Sequence, residues 1–215
     1  LEQAEISYRK AIKLNPDFTK ACLNLGIILK NLGKLQEAKN FANKALELNP
    51  NSIEAHLNLG AILKDLGELK EAELITQKAI LIKPNLFEAH FNLGNIIIKQ
   101  AKQSEDKDKL RKSIIHFQKA IEINPNLTQA YIQLGDLLID LNKENEAEKY
   151  IKKAIELDPS RSRSYESLGK IYNKMEKEKE AEEILLKAIK LDPEVRSAHF
   201  NLGISLLKRN KIDSA

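Results

Sequence analysis

The 215-residue chain contains no tryptophan and a single cysteine, Cys22. One cysteine cannot form an internal disulfide, so the fold does not depend on an oxidising compartment. The longest apolar runs, such as 26–29, and shorter ones, such as 96–98, are far too short to span a bilayer. The N-terminal residues also lack a basic segment followed by an apolar one, so we expect no signal peptide. These absences favour a cytoplasmic location and exclude a membrane partner.

Charge is plentiful but almost balanced. The chain has 35 basic and 31 acidic residues, for a net charge of +4. Lys and Glu are mixed along most of the chain, as on solvated helix faces. Two stretches, 99–112 and 187–211, are locally basic, but neither has the interleaved aromatic residues that stack on bases. We therefore expect no nucleic-acid partner.

Three short phrases recur along the chain at a fixed period. Six prolines follow one another at intervals of 34, 34, 41, 34 and 34 residues: Pro16, Pro50, Pro84, Pro125, Pro159 and Pro193. A Leu-Gly phrase keeps step with them, and so does a set of small residues such as Ala38, Ala42 and Ala45. A fixed period of this length is typical of a solenoid built from repeated supersecondary units.

Each period predicts two helices. In the repeat that starts at Thr19, helix A covers 19–32, with its apolar residues on one face at helical spacing. Gly33 can adopt the left-handed conformation that ends a helix. Helix B covers 35–48, and Pro50 prevents a third helix from following directly. One helix pair cannot bury its apolar stripe alone, so neighbouring pairs must stack.

These phrases resemble the tetratricopeptide repeat, which has a large residue at position 4, Leu-Gly at 7 and 8, Ala at 20 and 27 and Pro at 32. The resemblance implies an all-α fold, a right-handed α-solenoid of antiparallel helix pairs with the A helices on the concave side. It implies a single array over residues 1–215. The array would comprise a partial repeat at 1–18, full repeats at 19–52, 53–86, 87–127, 128–161 and 162–195, and a partial repeat at 196–215.

The repeat at 87–127 carries seven extra residues, within 99–112. Seven residues make about two helical turns, so one extra turn on each helix would keep both apolar faces in register. Ser104 or Asp106 is a suitable cap for the longer second helix. Two interpretations of this insertion stay open, a solvated hairpin tip and a contact point for another domain.

The resemblance also implies which residues line the concave groove. Position 6 carries an asparagine row of Asn24, Asn58, Asn92 and Asn201, interrupted by Gln133 and Ser167. Position 5 carries an apolar row of Leu23, Leu57, Phe91, Ile132 and Phe200, interrupted by Glu166. An Asn amide offers one acceptor and two donors, which match the backbone of an extended peptide. We therefore predict a peptide-binding groove, against the alternative that these asparagines are solvated consensus residues.

The asparagine row is similar to that in the repeat domain of the O-linked N-acetylglucosamine transferases, which implies a hold on substrate polypeptides. Another mode known in the family is disfavoured. Repeat domains that dock the C-terminal carboxylate of heat-shock chaperones have a Lys at position 5 of one repeat, and no repeat here has Lys or Arg there. The partner is therefore expected to be a protein or an extended peptide other than such a tail.

Candidate catalytic residues are few. Three of the four histidines, His56, His90 and His199, hold position 4, and they lie one or more repeats apart, so they should pack between helices rather than converge on a metal. The sequence has no Gly-rich phosphate loop, no Cys-x-x-Cys pair and no His-Glu-x-x-His motif. We expect no enzymatic activity, no metal and no cofactor.

Three functional interpretations follow. The first is a protein- or peptide-binding scaffold that uses the concave groove. The second is a substrate-docking arm of a larger enzyme, such as a glycosyltransferase, whose catalytic domain lies elsewhere. The third is end-to-end self-association through the partial terminal repeats, because helix A of the last one still carries Phe200, Ile204 and Leu207.

Overall fold

The computed structural model describes residues 1–213, with side chains up to residue 210. Over that range the chain forms twelve α-helices and no strand, so the predicted all-α array of helix pairs is confirmed. Residues 214 and 215 of the predicted last partial repeat lie outside the described residues. The helices are α1 (Glu2–Leu14), α2 (Thr19–Asn31), α3 (Leu35–Leu48), α4 (Ile53–Leu66), α5 (Leu69–Ile82), α6 (Phe87–Ser104), α7 (Lys107–Ile123), α8 (Thr128–Asp140), α9 (Glu144–Leu157), α10 (Ser162–Lys174), α11 (Glu178–Leu191) and α12 (Arg196–Asp213).

The even-numbered helices are the A helices and the odd-numbered ones are the B helices. By contact density the chain divides into a first unit, Leu1–Lys119, and a second unit, Ala120–Ala215. In the first unit α3 packs between α2 and α4, and α5 packs between α4 and α6. The A helices also contact one another directly, α2 with α4 and α4 with α6. Helices α8 to α12 of the second unit follow the same arrangement.

Each unit has its own apolar core. In the first unit, Leu25 and Leu29 of α2, Leu59 and Leu63 of α4 and Ile96 of α6 are almost completely removed from solvent. Alanines of the B helices complete this core, since a small side chain lets the paired helices approach closely. In the second unit a cluster of Tyr165, Ala181, Leu185, Ala188 and Ala198 joins α10, α11 and α12.

The position-8 glycines allow the closest approach within a helix pair. A Cβ atom added to Gly135 would lie 2.4 Å from Ile151 Cδ1, and one added to Gly169 would lie 2.4 Å from Leu185 Cγ. Neither site has room for a methyl group. The B-helix side chain fills the space that the missing Cβ leaves, so the two helices interlock.

The turn between helix A and helix B uses a left-handed residue in five repeats, and in the repeat with the insertion that residue is Glu105, with φ of 52°. Gly33 and Gly67 have φ of 76° and 85°. At the same repeat position Asn142 and Glu176 have φ of 56° and 58°. A left-handed residue with a side chain costs about 1–2 kcal/mol, so the last three turns store strain that the first two avoid.

The insertion lengthens both helices of its pair. Helix α6 continues to Ser104, and α7 already begins at Lys107. Asp106 caps α7, because its Oδ1 accepts hydrogen bonds from the backbone N–H groups of Asp108 and Lys109 at 2.9 and 3.1 Å. Ser104 does not act as the cap, since its hydroxyl donates back to the Gln100 carbonyl at 3.0 Å.

Lysines at position 13 tie successive A helices together. Lys174 Nζ donates to the Ile139 carbonyl at 2.8 Å, and Lys208 Nζ donates to the Asn173 carbonyl at 2.9 Å. Lys99 makes the same bond to the carbonyl of Lys64 at 2.6 Å. Each bond places a positive charge at the C-terminal end of the preceding A helix. The Ile139 and Lys64 carbonyls also accept from the backbone N–H groups of Asn142 and Gly67, so the lysine shares these acceptors. We call these bonds lysine clasps.

Candidate functional site

The predicted groove residues of the first unit lie on α2, α4 and α6. We call the surface that carries positions 5 and 6 of these helices the first-unit A-helix face. Four of the residues on this face are half-buried: Leu57 and Asn58 on α4, and Phe91 and Asn92 on α6. An apolar side chain and an amide thus stand side by side in two successive repeats. This face can offer both hydrophobic contact and hydrogen bonding.

The asparagines of the first unit are not equivalent. Asn24 donates from Nδ2 to the Tyr8 hydroxyl at 3.1 Å, which ties α2 to α1. One repeat on, the residue that corresponds to Tyr8 is Ala42, which has no hydroxyl, and Asn58 Nδ2 is buried without a hydrogen-bond partner. Within the described residues Asn92 also makes no side-chain hydrogen bond to the protein. Two of the three amides therefore keep unused bonding capacity.

Leu23 departs from the prediction. Only 7% of its surface is exposed, because it packs in a cluster with Cys22, Ala45 and Ala55. It supports the face from beneath and cannot offer much surface to a ligand. Phe91 remains half-buried, and its ring stands edge-on to that of Phe117 with the centroids 5.8 Å apart. That contact fixes the direction in which the Phe91 ring points.

In the second unit the predicted residues do not form a comparable surface. Ile132 is completely buried, so the expectation that its side chain contacts a peptide is wrong. Phe200 is 70% exposed on α12. The Asn201 side chain is already engaged, since its Nδ2 donates to the Ser197 carbonyl at 2.9 Å. The backbone carbonyl of Asn201 accepts from Asn173 Nδ2 at 2.8 Å.

A charged cluster that the sequence analysis missed occupies the A helices of the second unit. The Arg163 guanidinium donates to Asp136 at 2.7 Å and to both oxygens of Glu166 at 3.0 and 3.1 Å. Ser167 donates to the other oxygen of Asp136 at 2.7 Å. Burial would lower the pKa of Arg163, but the two carboxylates outweigh it and raise the pKa. The sequence did contain a sign of this cluster, because Glu166 interrupts the apolar row and Ser167 interrupts the asparagine row.

Two histidines meet in the first unit. His90 on α6 and His116 on α7 have their Nδ1 atoms 3.4 Å apart, and His90 Nε2 lies 3.0 Å from the Pro84 carbonyl. Since Nε2 must donate to that carbonyl, His90 Nδ1 is the acceptor and His116 Nδ1 the donor. Once the seven inserted residues are discounted, His116 holds position 23, where Tyr150 faces Tyr131 in the next repeat. The insertion concealed this pairing.

The described residues contain no group of three or more His, Cys, Asp and Glu side chains placed to hold a metal ion. Burial raises the pKa of the Cys22 thiol, which makes it a poor nucleophile at neutral pH. Among the helices of the described range, none is both long and apolar enough to cross a membrane.

Comparison with known proteins agrees with this architecture. A family model for the tetratricopeptide repeat protein 21 C-terminal ARM domain matches residues 84–215, more than half of the chain. Models of the tetratricopeptide repeat itself match residues 1–18, 19–52 and 41–73. A search of curated protein sequences gave no significant match.

Solved structures share the fold over most of the chain. TTC0263, a TPR protein of Thermus thermophilus, is 23% identical with a TM-score of 0.72, over 88% of this chain and 99% of that one. YrrB, a TPR protein with an unusual peptide-binding site, is 26% identical with a TM-score of 0.65, over 90% and 96%. Human IFIT1, solved as a dimer with PPP-AAAA, is 21% identical with a TM-score of 0.79, over 97% and 50%. With its recurring phrases, paired helices and these matches, the chain belongs to the tetratricopeptide repeat family.

Proposed function

We propose that the chain is a protein-binding scaffold and that its first-unit A-helix face holds an extended peptide. The observation that carries this proposal is the unused hydrogen-bonding capacity of two side-chain amides. Asn58 and Asn92 make no side-chain hydrogen bond within the described residues, and each stands beside a half-buried apolar side chain. A buried amide nitrogen without a partner, such as Asn58 Nδ2, costs about 1–3 kcal/mol, and rotation of the Asn58 side chain towards a peptide backbone would relieve that cost.

The peptide would lie across α4 and α6. Its backbone would bond to the Asn58 and Asn92 amides, which read no sequence because every residue has the same backbone groups. Its side chains would contact Leu57 and Phe91, which gives a preference for apolar residues. Asn24 would act indirectly, because its amide already bonds to Tyr8. The peptide-binding site of YrrB, 26% identical to this chain, supports a peptide as the ligand.

The test is binding to an array of unrelated peptides by wild type and by the double variant Asn58→Ala/Asn92→Ala. The matched control is Asn40→Ala, which removes an amide from an exposed position on α3. We expect wild type and control to bind many extended peptides and the double variant to lose most of them. Equal binding by all three proteins would show that the amides do not hold the peptide and would overturn the proposal.

Self-association is a second proposal, carried by α12. Phe200 and Leu207 lie two turns apart on this helix and are 70% and 66% exposed. A second copy of the chain would cover them, with burial of apolar surface as the driving force. Light scattering should show a rise in mass with concentration that Phe200→Ser/Leu207→Ser abolishes. A wild type that stays monomeric at high concentration excludes this mode.

A further inference from the structure

Ion pairs join neighbouring repeats of the first unit at fixed positions. Glu5 at position 21 pairs with Lys34 at position 16 of the next repeat, with Oε2 and Nζ 2.9 Å apart. One repeat later the signs are reversed, and Lys39 pairs with Glu68 at 2.5 Å. Lys34 and Arg9 lower the pKa of Glu5, while Glu68 raises the pKa of Lys39. The same two positions thus link the repeats at the first two junctions.

At the third junction the complementary charges are present but do not meet. Position 21 is Glu73 on α5 and position 16 is Lys109 on α7, and in the described part of the chain they form no ion pair. Glu73 accepts instead from Gln100 Nε2 at 2.8 Å, and the same nitrogen lies 3.2 Å from the Leu69 carbonyl. Gln100, at repeat position 14 of α6, thus occupies the place at position 21 that the position-16 residue occupies at the first two junctions.

A cleft of about 700 Å³ occupies the space between them. Glu73 lies on one side together with Glu68, Glu71 and Lys70, and Lys109 and Lys112 lie on the other. Its volume falls within the range typical of ligand sites, about 300–1,000 Å³. The cleft lies where the lengthened helices α6 (Phe87–Ser104) and α7 (Lys107–Ile123) follow the shorter pair α4 (Ile53–Leu66) and α5 (Leu69–Ile82).

The charges on the two sides are unequally compensated. Lys39 pairs with both Glu68 and Glu71, at 2.5 and 3.4 Å. Neither Lys109 nor Lys112 pairs with a carboxylate in the part of the chain that the structure describes. Asp108, the nearest acidic residue in sequence, pairs with Arg111 at 2.7 Å instead. The cleft therefore presents an uncompensated basic side opposite Glu73, which no cation contacts.

We propose that this cleft is a docking site for a peptide segment of another protein that carries both an acidic and a basic side chain. The acidic side chain binds Lys109 and Lys112, and the basic one binds Glu73. Together they complete the inter-repeat link that Glu73 and Lys109 leave open. An all-acidic segment is repelled by the carboxylates, and an all-basic one by the lysines, so charge complementarity selects a segment with both signs.

The experiment compares three fluorescein-labelled peptides of equal length, one alternating Glu and Lys, one with Glu only and one with Lys only. Fluorescence anisotropy at low salt should show binding of the alternating peptide alone, weakened at physiological salt. Lys109→Glu should weaken it at least about fivefold, the value of one favourable exposed pair. The double variant Glu73→Lys/Lys109→Glu, which exchanges the charges, should restore binding.

Two controls separate this site from other surfaces. Lys78→Glu makes the same charge change on an exposed part of α5 outside the cleft and should leave the affinity unchanged. Deletion of Ala101 to Lys107 returns the repeat to its ordinary length and should abolish binding by closing the cleft. If that variant fails to fold, the binding affinity of the charge-exchange variant Glu73→Lys/Lys109→Glu tests the proposal without it. Tighter binding of a single-sign peptide, equal loss in Lys78→Glu, or no binding of the alternating peptide would overturn the proposal.

Discussion

Leu185 of α11 fills the space above Gly169 of α10 so closely that a Cβ on the glycine would lie 2.4 Å from Leu185 Cγ. The same position in α12, Gly203, has nothing within 4 Å. The two glycines therefore allow one substitution to be compared in two environments.

Gly169→Ala should destabilise the chain by about 1–3 kcal/mol, because overpacking outweighs the gain in helix propensity. Gly203→Ala should instead stabilise it by about 0.5–1 kcal/mol, since alanine favours the helix and meets no neighbour. Urea unfolding followed by circular dichroism measures both values. Equal effects of the two substitutions would contradict the close approach at Gly169.

Glu176→Gly should stabilise the chain by about 0.5–1 kcal/mol. Glu176 has φ of 58°, a left-handed conformation that costs about 1–2 kcal/mol for a residue with a side chain, against about 0.5–1 kcal/mol for the entropy of glycine. Gly67→Ala is the inverse control, since Gly67 has φ of 85°, and it should destabilise. Thermal melts of both variants show whether each substitution raises or lowers the stability of the chain. A destabilised Glu176→Gly would show that the side chain itself is needed at the turn.

Lys174→Met should destabilise the second unit by about 1 kcal/mol. The substitution keeps the aliphatic length but removes the clasp to the Ile139 carbonyl and a second bond to Asn142 Oδ1 at 2.9 Å. Hydrogen exchange should then accelerate at the C-terminal end of α8. Lys190→Met, at an exposed position on α11, is the matched control and should leave exchange in α8 unchanged.

Acidification should destabilise the first unit through His116. Burial and the nearby His90 lower the pKa of His116, although Glu73 opposes them. The folded chain therefore binds fewer protons at this site than the unfolded chain, whose histidines titrate at about pH 6.5. Stability is fully present above that pH and declines as the pH falls through the folded pKa.

The measurement is the urea midpoint between about pH 8 and pH 5, a range in which unperturbed histidine changes charge. His116→Phe should flatten the decline. The change in urea midpoint that His116→Phe causes at the alkaline end of the range measures its effect on packing alone, because histidine is neutral there. An unchanged slope in His116→Phe would assign the decline to other groups.

The repeat phrases were sufficient to predict the helix pairs, because the spacing of Gly, Ala and Pro fixes where helices approach, turn and end. The contact surface was harder to predict. Ile132 and Phe91 occupy the same repeat position, yet one is buried and the other half-buried, since exposure depends on side chains from neighbouring elements. The meeting of His90 with His116 was hidden by the insertion. Glu73 and Lys109 form no ion pair in the described structure, and the sequence could not predict this because it does not give the distance between their side chains.

The lysine clasps also bear on how the chain would respond to force. Lys174 ties α10 to α8, and Lys208 ties α12 to α10, so each clasp spans one repeat and no more. A pull between α12 and α8 would load the Lys208 and Lys174 bonds in series, and the rupture of one bond would release one pair of A helices only. We therefore expect the second unit to unfold under tension in steps, each of which releases one repeat.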